Sequence, residues 1–350
     1  MSFPHDVDAG GSNVLRKLLI GLGVLGGIVL LAATGLTAYV TLTWDKVYDA
    51  PLPNVRASTD PAVIAAGEYL VYGPAHCVHC HSASFTDYVK LGEGVKPPLV
   101  GGTRFGFGPV AVIYSKNLTP DDETGIGRYT DGQLARMLRS GVRPNGRVGL
   151  GMGPFDKISD SDVVAIVSFL RSQSPVRRRV PEDEWFVFGK VLRSTLLRPR
   201  TNTHPPVEAP PPAVTRERGE YLARSVSDCP GCHTNRRPPT FAIIGAEFSG
   251  GLELEAEKGS GDASGTFYRT PNLTPAKESA LDKFPDRDTF VARFLHGGRK
   301  YPGSPMPWES FSRMTTEDLG ALYEFLHSLA PQPGPTGEPV FKKATSSRPS

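Results

Sequence analysis

Residues Leu18 to Val40 form 23 consecutive positions without a charged side chain. At about 1.5 Å of rise per residue, a helix of that length spans the roughly 30 Å hydrocarbon layer of a bilayer. Arg16 and Lys17 precede the run, Trp44 follows it at an interface position, and Asp45 and Lys46 return the chain to water. The positive-inside rule then predicts residues 1–17 as a short cytoplasmic N-terminus, 18–44 as a single-pass anchor in the cytoplasmic membrane, and the remainder as periplasmic. A cleaved signal peptide is the competing reading. Its apolar core runs roughly 7 to 15 residues before an A-x-A site; this run is longer, and no such site stands behind it.

After the anchor the pattern changes to short amphipathic helices. Asp60 is placed to cap a segment reaching Tyr72, and Thr130 one over Gly132 to Arg139. Ser159, with Asp162 three residues on, opens a helix whose apolar positions are Val163, Val164, Ile166, Val167, Phe169 and Leu170. Thr315 and Asp318 open another, with Leu319, Leu322, Phe325 and Leu326 on one face. These are capping-box-like starts followed by a period near 3.6. Strand signals are weak throughout.

The pattern occurs twice. Gly67-Glu68-Tyr69-Leu70 returns as Gly219-Glu220-Tyr221-Leu222, and Asn117-Leu118-Thr119-Pro120 as Asn272-Leu273-Thr274-Pro275. Cys77 pairs with Cys229 and Met152 with Met306, all at offsets between 152 and 155 residues. Register held over that distance implies a tandem duplication. The expected organisation is a first domain over 45–175, a linker over 176–213, a second domain over 214–330 and a disordered tail over 331–350. Within the linker, Trp185 to Leu197 reads as a short helix packing between the modules, and Pro199 to Pro212 as extended chain. The run Arg177-Arg178-Arg179 is either a docking patch for an acidic partner or a solvated turn, with the turn favoured.

Composition refines this picture in two respects. Thirty-eight glycines and 33 prolines among 350 residues imply short elements and much loop, as when a bulky cofactor fills the core. A net charge of +3 gives no reason to expect nucleic acid as a partner.

The four cysteines are confined to Cys77-Val78-His79-Cys80-His81 and Cys229-Pro230-Gly231-Cys232-His233. Both are C-x-x-C-H, the attachment motif of c-type haem. Two thiols three positions apart can form thioethers with the two vinyl groups of one haem, and the adjacent histidine then lies beneath the iron. A bare C-x-x-C could also be a redox dithiol or half a zinc site, but zinc would need ligands gathered across the modules. The expectation is two haem c, held by Cys77, Cys80, Cys229 and Cys232, with His81 and His233 as proximal iron ligands.

For the sixth ligand, Met152 lies 71 residues after His81, and Met306 lies 73 after His233. Each sits in a Gly/Pro-rich loop, Gly151-Met152-Gly153-Pro154 and Ser304-Pro305-Met306-Pro307, ahead of the last helix of its copy. Met137 and Met314 occupy non-equivalent positions and read as packing residues. His76 and His79 belong to the proximal side, His204 to the linker, His296 and His327 to surface or helix positions, and His5 precedes the anchor. His/Met ligation fills the iron and favours electron transfer over catalysis.

Arg218 to Leu222 leading to Cys229 through Arg236, Asn117 to Gly127, and Met306-Pro-Trp-Glu-Ser-Phe through Leu319 resemble the cytochrome c subunits of membrane-bound alcohol and gluconate dehydrogenases. The likeness covers roughly residues 60 to 330. It implies a mainly α architecture of two tandem class I cytochrome c domains behind the transmembrane helix, each wrapped round a His/Met haem. It also implies redox protein partners within a larger membrane complex. Those subunits usually carry three haems and take electrons from a flavin or quinone-cofactor subunit, whereas this chain has two motifs. The expected role is therefore non-enzymatic electron transfer from a dehydrogenase or quinol-oxidising complex to a terminal oxidase or reaction centre. The alternative is a catalytic dihaem enzyme such as a peroxidase. That enzyme needs an open or His-ligated iron, and no histidine occurs between His81 and His204.

Overall fold

The computed structural model describes residues 10–152, 155–200, 205, 208–237 and 242–343. His5, Gly153, Pro154 and His204 lie outside the described residues, as do most of the proline-rich stretch before Glu208 and the last seven positions.

In chain order the helices and strands are α1 Gly10–Thr43, α2 Pro61–Tyr72, α3 Cys77–His81, α4 Phe85–Val89, β1 Arg104–Gly106, β2 Ala111–Tyr114, α5 Asp131–Ser140 and α6 Asp160–Ser172. They continue with β3 Glu184–Trp185, α7 Val187–Thr195, α8 Arg216–Tyr221, α9 Cys229–Cys232, β4 Arg236–Arg237, β5 Ala242–Ile243, β6 Glu253–Glu255 and β7 Thr266–Arg269. The last are α10 Arg287–His296, α11 Trp308–Phe311, α12 Thr316–His327 and β8 Val340–Lys342.

Helix α1 is long and apolar enough to cross a membrane from Val14 to Thr43, and the rest of the chain touches it only toward its C-terminal end. The other helices start where their capping residues predict. Asp60 accepts from the Ala62 amide at 2.8 Å with Pro61 at the first helical position. Ser159 and Thr315 each accept from the amide three residues on, at 3.1 Å. Only α5 closes a full capping box, between Thr130 and Gln133, among these starts. Asp162 and Asp318 do not reach back to their own caps because their carboxylates accept tyrosine hydroxyls from the other sequence copy.

Two helix pairs form the core. Helix α2 lies against α6, and α8 against α12. Gly67 and Gly219 set the closeness of these crossings: a Cβ at either would overlap the carbonyl of Ala165 or Ala321. Val71, Val163, Ile166, Leu222, Leu319 and Phe325 are buried in one continuous cluster that includes both pairs. Burial of such side chains stabilises by about 1.5–3 kcal/mol each.

Three small antiparallel sheets were not signalled by the sequence. The first has the order β1-β2-β3, with Phe105 opposite Ile113 and Ala111 opposite Trp185. The second is β4-β5, and the third is β6-β7-β8, with Phe267 between Leu254's strand and Phe341. Strands of two to four residues are too short to show alternation.

Two linker and tail expectations are corrected. Residues 185–197 do form a short helix, but among the described residues β3 joins the first sheet and α7 lies beside α1 and not between the copies. The tail is not disordered throughout, since β8 pairs with β7, and Arg269 donates to the Glu338 carbonyl at 2.7 Å. Of the arginine run, Arg177 pairs with Glu123 at 2.5 Å and the Arg178 amide donates to Thr124 Oγ1 at 2.9 Å. These contacts fit the turn reading.

Candidate haem sites

Each C-x-x-C-H motif starts from a residue in the left-handed region, which L side chains rarely adopt: His76 with φ of 40° and Asp228 with φ of 47°. The chain reverses there and enters one helical turn, α3 or α9, which carries both cysteines of the motif. The cysteines are unpaired; Cys232 is exposed and the other three are partly exposed.

The two histidines are held in the same way. His81 Nδ1 lies 2.7 Å from the Lys116 carbonyl, and His233 Nδ1 lies 2.9 Å from that of Pro271. A carbonyl can only accept, so Nδ1 carries the proton and Nε2 keeps its lone pair for a metal. Burial pushes both imidazoles below their ordinary pKa, which favours the neutral ring needed for ligation.

The accepting carbonyls immediately precede the Asn-Leu-Thr-Pro repeats, whose role now becomes physical. Asn117 Oδ1 accepts from the Thr119 amide at 2.9 Å and its hydroxyl at 2.8 Å. Asn272 Oδ1 does the same with Thr274, both at 2.8 Å. The Asn117 amide group donates to the Val176 carbonyl and that of Asn272 to Gln332, each at 2.8 Å. Each asparagine thus ties the turn behind its histidine to the chain leaving the last helix of its copy.

A glycine pair that the sequence reading missed completes the support. The Gly101 amide donates to the His81 carbonyl at 2.7 Å, and Gly250 to His233 at 2.8 Å. Both have positive φ, 65° and 76°, and a Cβ at either would meet backbone at 2.5 Å, that of Ser115 and Lys116 just past β2 or of Thr270 and Pro271 just past β7. The signal was available as Gly-Gly pairs, 101–102 and 250–251, at nearly the duplication offset.

Met152 and Met306 are half-buried and pack at the edge of the core. Met314 is buried within it and Met137 lies on α5, as packing residues do. Arg299 spans the Met306 loop, donating to the carbonyls of Ser304 and Met306 while pairing with Glu309 at 2.5 Å. His327 Nδ1 turns back to the Tyr323 carbonyl at 3.0 Å within α12, and His296 ends α10.

The donor sets fit haem c better than the alternatives. Burial pushes the Cys77 and Cys229 thiols up to about 12, opposite to the lowered pKa of an active redox dithiol. No three His, Cys, Asp or Glu side chains gather as a metal cluster among the described residues, so neither cysteine pair has a zinc-like completion. A turn presenting two thiols beside an imidazole with a free Nε2 suits covalent attachment of a porphyrin to that turn.

The two motif regions also touch. His79 Nε2 lies 3.2 Å from Glu257, the Ser310 amide donates to the Tyr88 hydroxyl at 3.2 Å, and the His76 ring meets Phe311 edge-on at 5.7 Å. The first motif therefore leans on the segment that follows Met306.

Known proteins bear this reading out at the level of protein class. A fructose dehydrogenase cytochrome subunit from Gluconobacter japonicus is 26% identical over 332 residues, covering 91% of this chain and 63% of its own length. The chain is a homologue of dehydrogenase cytochrome c subunits. A gluconate 2-dehydrogenase cytochrome c subunit from Pantoea cypripedii is 30% identical, covering 77% of this chain and 60% of the relative. A diheme cytochrome c-type protein from Cereibacter sphaeroides is 27% identical, over 59% of this chain and 66% of its own. This cytochrome c homologue thus spans less than two thirds of the length of the two dehydrogenase subunits. No family model matches it.

Proposed function

We propose that the chain is a membrane-anchored dihaem cytochrome c, built as two tandem class I cytochrome c domains, that carries electrons between redox proteins at the outer face of the cytoplasmic membrane. The observation that carries the reading is the duplicated support of His81 and His233. Each donates Nδ1–H to the carbonyl before an Asn-Leu-Thr-Pro turn and leaves Nε2 free beside two cysteines.

In this reading Cys77 and Cys80 hold one haem and Cys229 and Cys232 the other. His81 with Met152, and His233 with Met306, are the axial ligands. Bound haem supplies a one-electron ferric/ferrous couple whose potential a thioether ligand raises. The chain's own residues fix the imidazoles through Lys116 and Pro271 and hold the Met306 loop through Arg299. With two protein ligands per iron there is no vacancy for substrate, so the chain transfers electrons and does no chemistry on a substrate. Arg16 and Lys17, in α1 just ahead of its uncharged run from Leu18, keep the N-terminus cytoplasmic and leave both domains periplasmic. The relatives support a dehydrogenase complex as electron donor. A quinol-oxidising complex serves the same role chemically, with a terminal oxidase or reaction centre as acceptor.

The test is haem stoichiometry and spin state on the purified full chain. Two haem c per polypeptide, both low-spin with the weak near-infrared methionine-to-iron band, are expected. A single haem would overturn the reading, and a high-spin iron that binds peroxide or cyanide readily would overturn it in favour of a dihaem peroxidase.

A further inference from the structure

Helix α7 is amphipathic in the sense opposite to that of a helix docked on a soluble domain. Val187, Phe188, Val191, Leu192 and Leu196 fall on one arc, with Thr195 among them, while Gly189, Lys190, Arg193 and Ser194 occupy the other, next to Phe186 at the cap. In water the apolar arc should face the protein. Here the polar arc does. Gly189 sits so close to the Val110 carbonyl that a Cβ would overlap it, and Arg193 and Ser194 are buried. Val187 is 81% exposed and Leu196 69%, with Phe186 and Phe188 also exposed.

The place of this helix says what covers the apolar arc. It packs against the end of α1, where the apolar span leaves off. The Tyr39 hydroxyl, inside that span, donates to the Ser194 carbonyl at 3.3 Å. Lys190 Nζ lies 4.7 Å above the Trp44 ring, and the Arg193 guanidinium lies 5.6 Å from Trp44 and 4.6 Å from Trp185. Tryptophan, tyrosine and cationic side chains gathered at the end of an apolar helix are the composition of a membrane–water interface.

We propose that α7 lies in the lipid headgroup–acyl boundary, its apolar arc in the membrane, as a second membrane contact beside α1. The proposal rests on the reading of α1 as a membrane span. A helix docked on both the anchor and the first sheet would fix the height and tilt of the first haem module above the membrane, where a single tether would leave it free to swing. A partner subunit or a second copy of the chain could cover the same arc, and the experiment separates these.

The full chain is reconstituted in vesicles of phosphatidylethanolamine and phosphatidylglycerol with one added cysteine carrying a nitroxide. The sites are Val187→Cys, Leu196→Cys, Ile28→Cys in the anchor and Lys277→Cys on the exposed second half. Collision rates with dissolved oxygen and with a water-soluble nickel chelate are measured at each. The oxygen-to-nickel ratio at 187 and 196 should exceed that at 277 several-fold and approach that at 28. A lipid-like ratio at 28 with a water-like ratio at 187 and 196 would overturn the proposal and leave the anchor standing. Low collision rates with both reagents at 187 and 196 would mean a protein covering and also overturn it. A water-like ratio at 28 would remove the anchor reading and the proposal together.

Discussion

The Tyr69 hydroxyl donates to Asp318 Oδ2 at 2.6 Å, and Tyr221 makes the mirror contact with Asp162 Oδ2 at 2.5 Å. Each tyrosine belongs to one Gly-Glu-Tyr-Leu copy, and each aspartate to the last helix of the other. The amides of Thr315 and Ser159 also donate to the same two hydroxyls, at 3.3 and 2.9 Å. The repeated sequence thus makes reciprocal contacts, and the two tyrosines lock the copies in one relative orientation. Burial and the neighbouring carboxylate push both phenols well above their ordinary range, so neither ionises at physiological pH.

The mirror is broken at one residue. Arg218 donates to both oxygens of Asp318, at 2.7 and 2.9 Å, whereas the equivalent position in the first copy is Ala66. Asp318 is 2% exposed and Arg218 7%, so Asp318→Asn strips a buried cation of its partner and should cost about 3 kcal/mol. Asp162 has no such cation bonded to it, and burial raises its pKa. A carboxyl with a raised folded pKa binds more protons folded than unfolded, so its contribution to stability is lost as pH rises through that value. Asp162→Asn keeps an acceptor for Tyr221 and should gain stability relative to the wild type as pH rises above the usual carboxylate range. Denaturant melts of both variants between acid and neutral pH measure the asymmetry. Equal destabilisation by both at neutral pH would contradict it.

The glycines beneath the histidines give a second prediction. Ala at Gly101 or Gly250 must take positive φ and meet backbone at 2.5 Å. Gly101 is pressed against Ser115 and Lys116, the residue whose carbonyl orients His81. Gly101→Ala should therefore cost about 2 kcal/mol or more in stability. It should also perturb the spectrum and potential of the first haem while leaving the second intact, and Gly250→Ala should do the reverse. Redox titration with the two haems resolved is the measurement. A stability loss with neither potential shifted would mean that the glycines serve the fold alone.

How legible this was depended on how local each feature is. Helix starts at Asp60, Thr130, Ser159 and Thr315 could be read because a cap and its helix lie within four residues. The two C-x-x-C-H segments stand out as candidate haem sites because two thiols and an imidazole on one turn are a local chemical signature. The duplication could be read, but not the use to which Asn117 and Asn272 are put, since the acceptor they hold is a backbone carbonyl with no side chain to announce it. Gly101 and Gly250 were passed over because their constraint comes from backbone some 14 to 21 residues further on, at Ser115 and Lys116 or Thr270 and Pro271. The placement of α7 was misread because its sequence shows an apolar arc and not which solvent the arc meets. The tail strand Val340–Lys342 needed β7 as a template before its own pattern meant anything.

The methionine assignment predicts paired, independent losses. Met152→Ala should abolish the methionine band of one haem and open that iron to cyanide or carbon monoxide, with covalent haem retained through Cys77 and Cys80. Met306→Ala should do so at the other haem. Met137→Leu and Met314→Leu, which replace packing side chains, should leave both bands in place and cost less than about 1.5 kcal/mol. Retention of both bands in Met152→Ala or Met306→Ala would send the search for the sixth ligand elsewhere.

Arg299 offers the sharpest separation of fold from site. Its side chain and that of Glu309 are each 9% exposed and lie 2.5 Å apart, and its remaining donors go to the Ser304 and Met306 carbonyls on either side of Pro305. It also stacks on Phe85 of the first copy, its guanidinium 5.0 Å from the ring. Removing the guanidinium therefore leaves a buried carboxylate unpaired, at about 3 kcal/mol, and frees the loop bearing Met306. Arg299→Gln should weaken the methionine band of the second haem and lower its potential, with the first haem unchanged. Arg299→Lys restores the charge but not the fork of donors, so stability should recover further than the band. The double variant Arg299→Gln/Glu309→Gln removes the unpaired charge as well. If the band returned with stability in that variant, the arginine would be neutralising Glu309 and not positioning Met306; a band that stays weak while stability recovers fits a positioning residue.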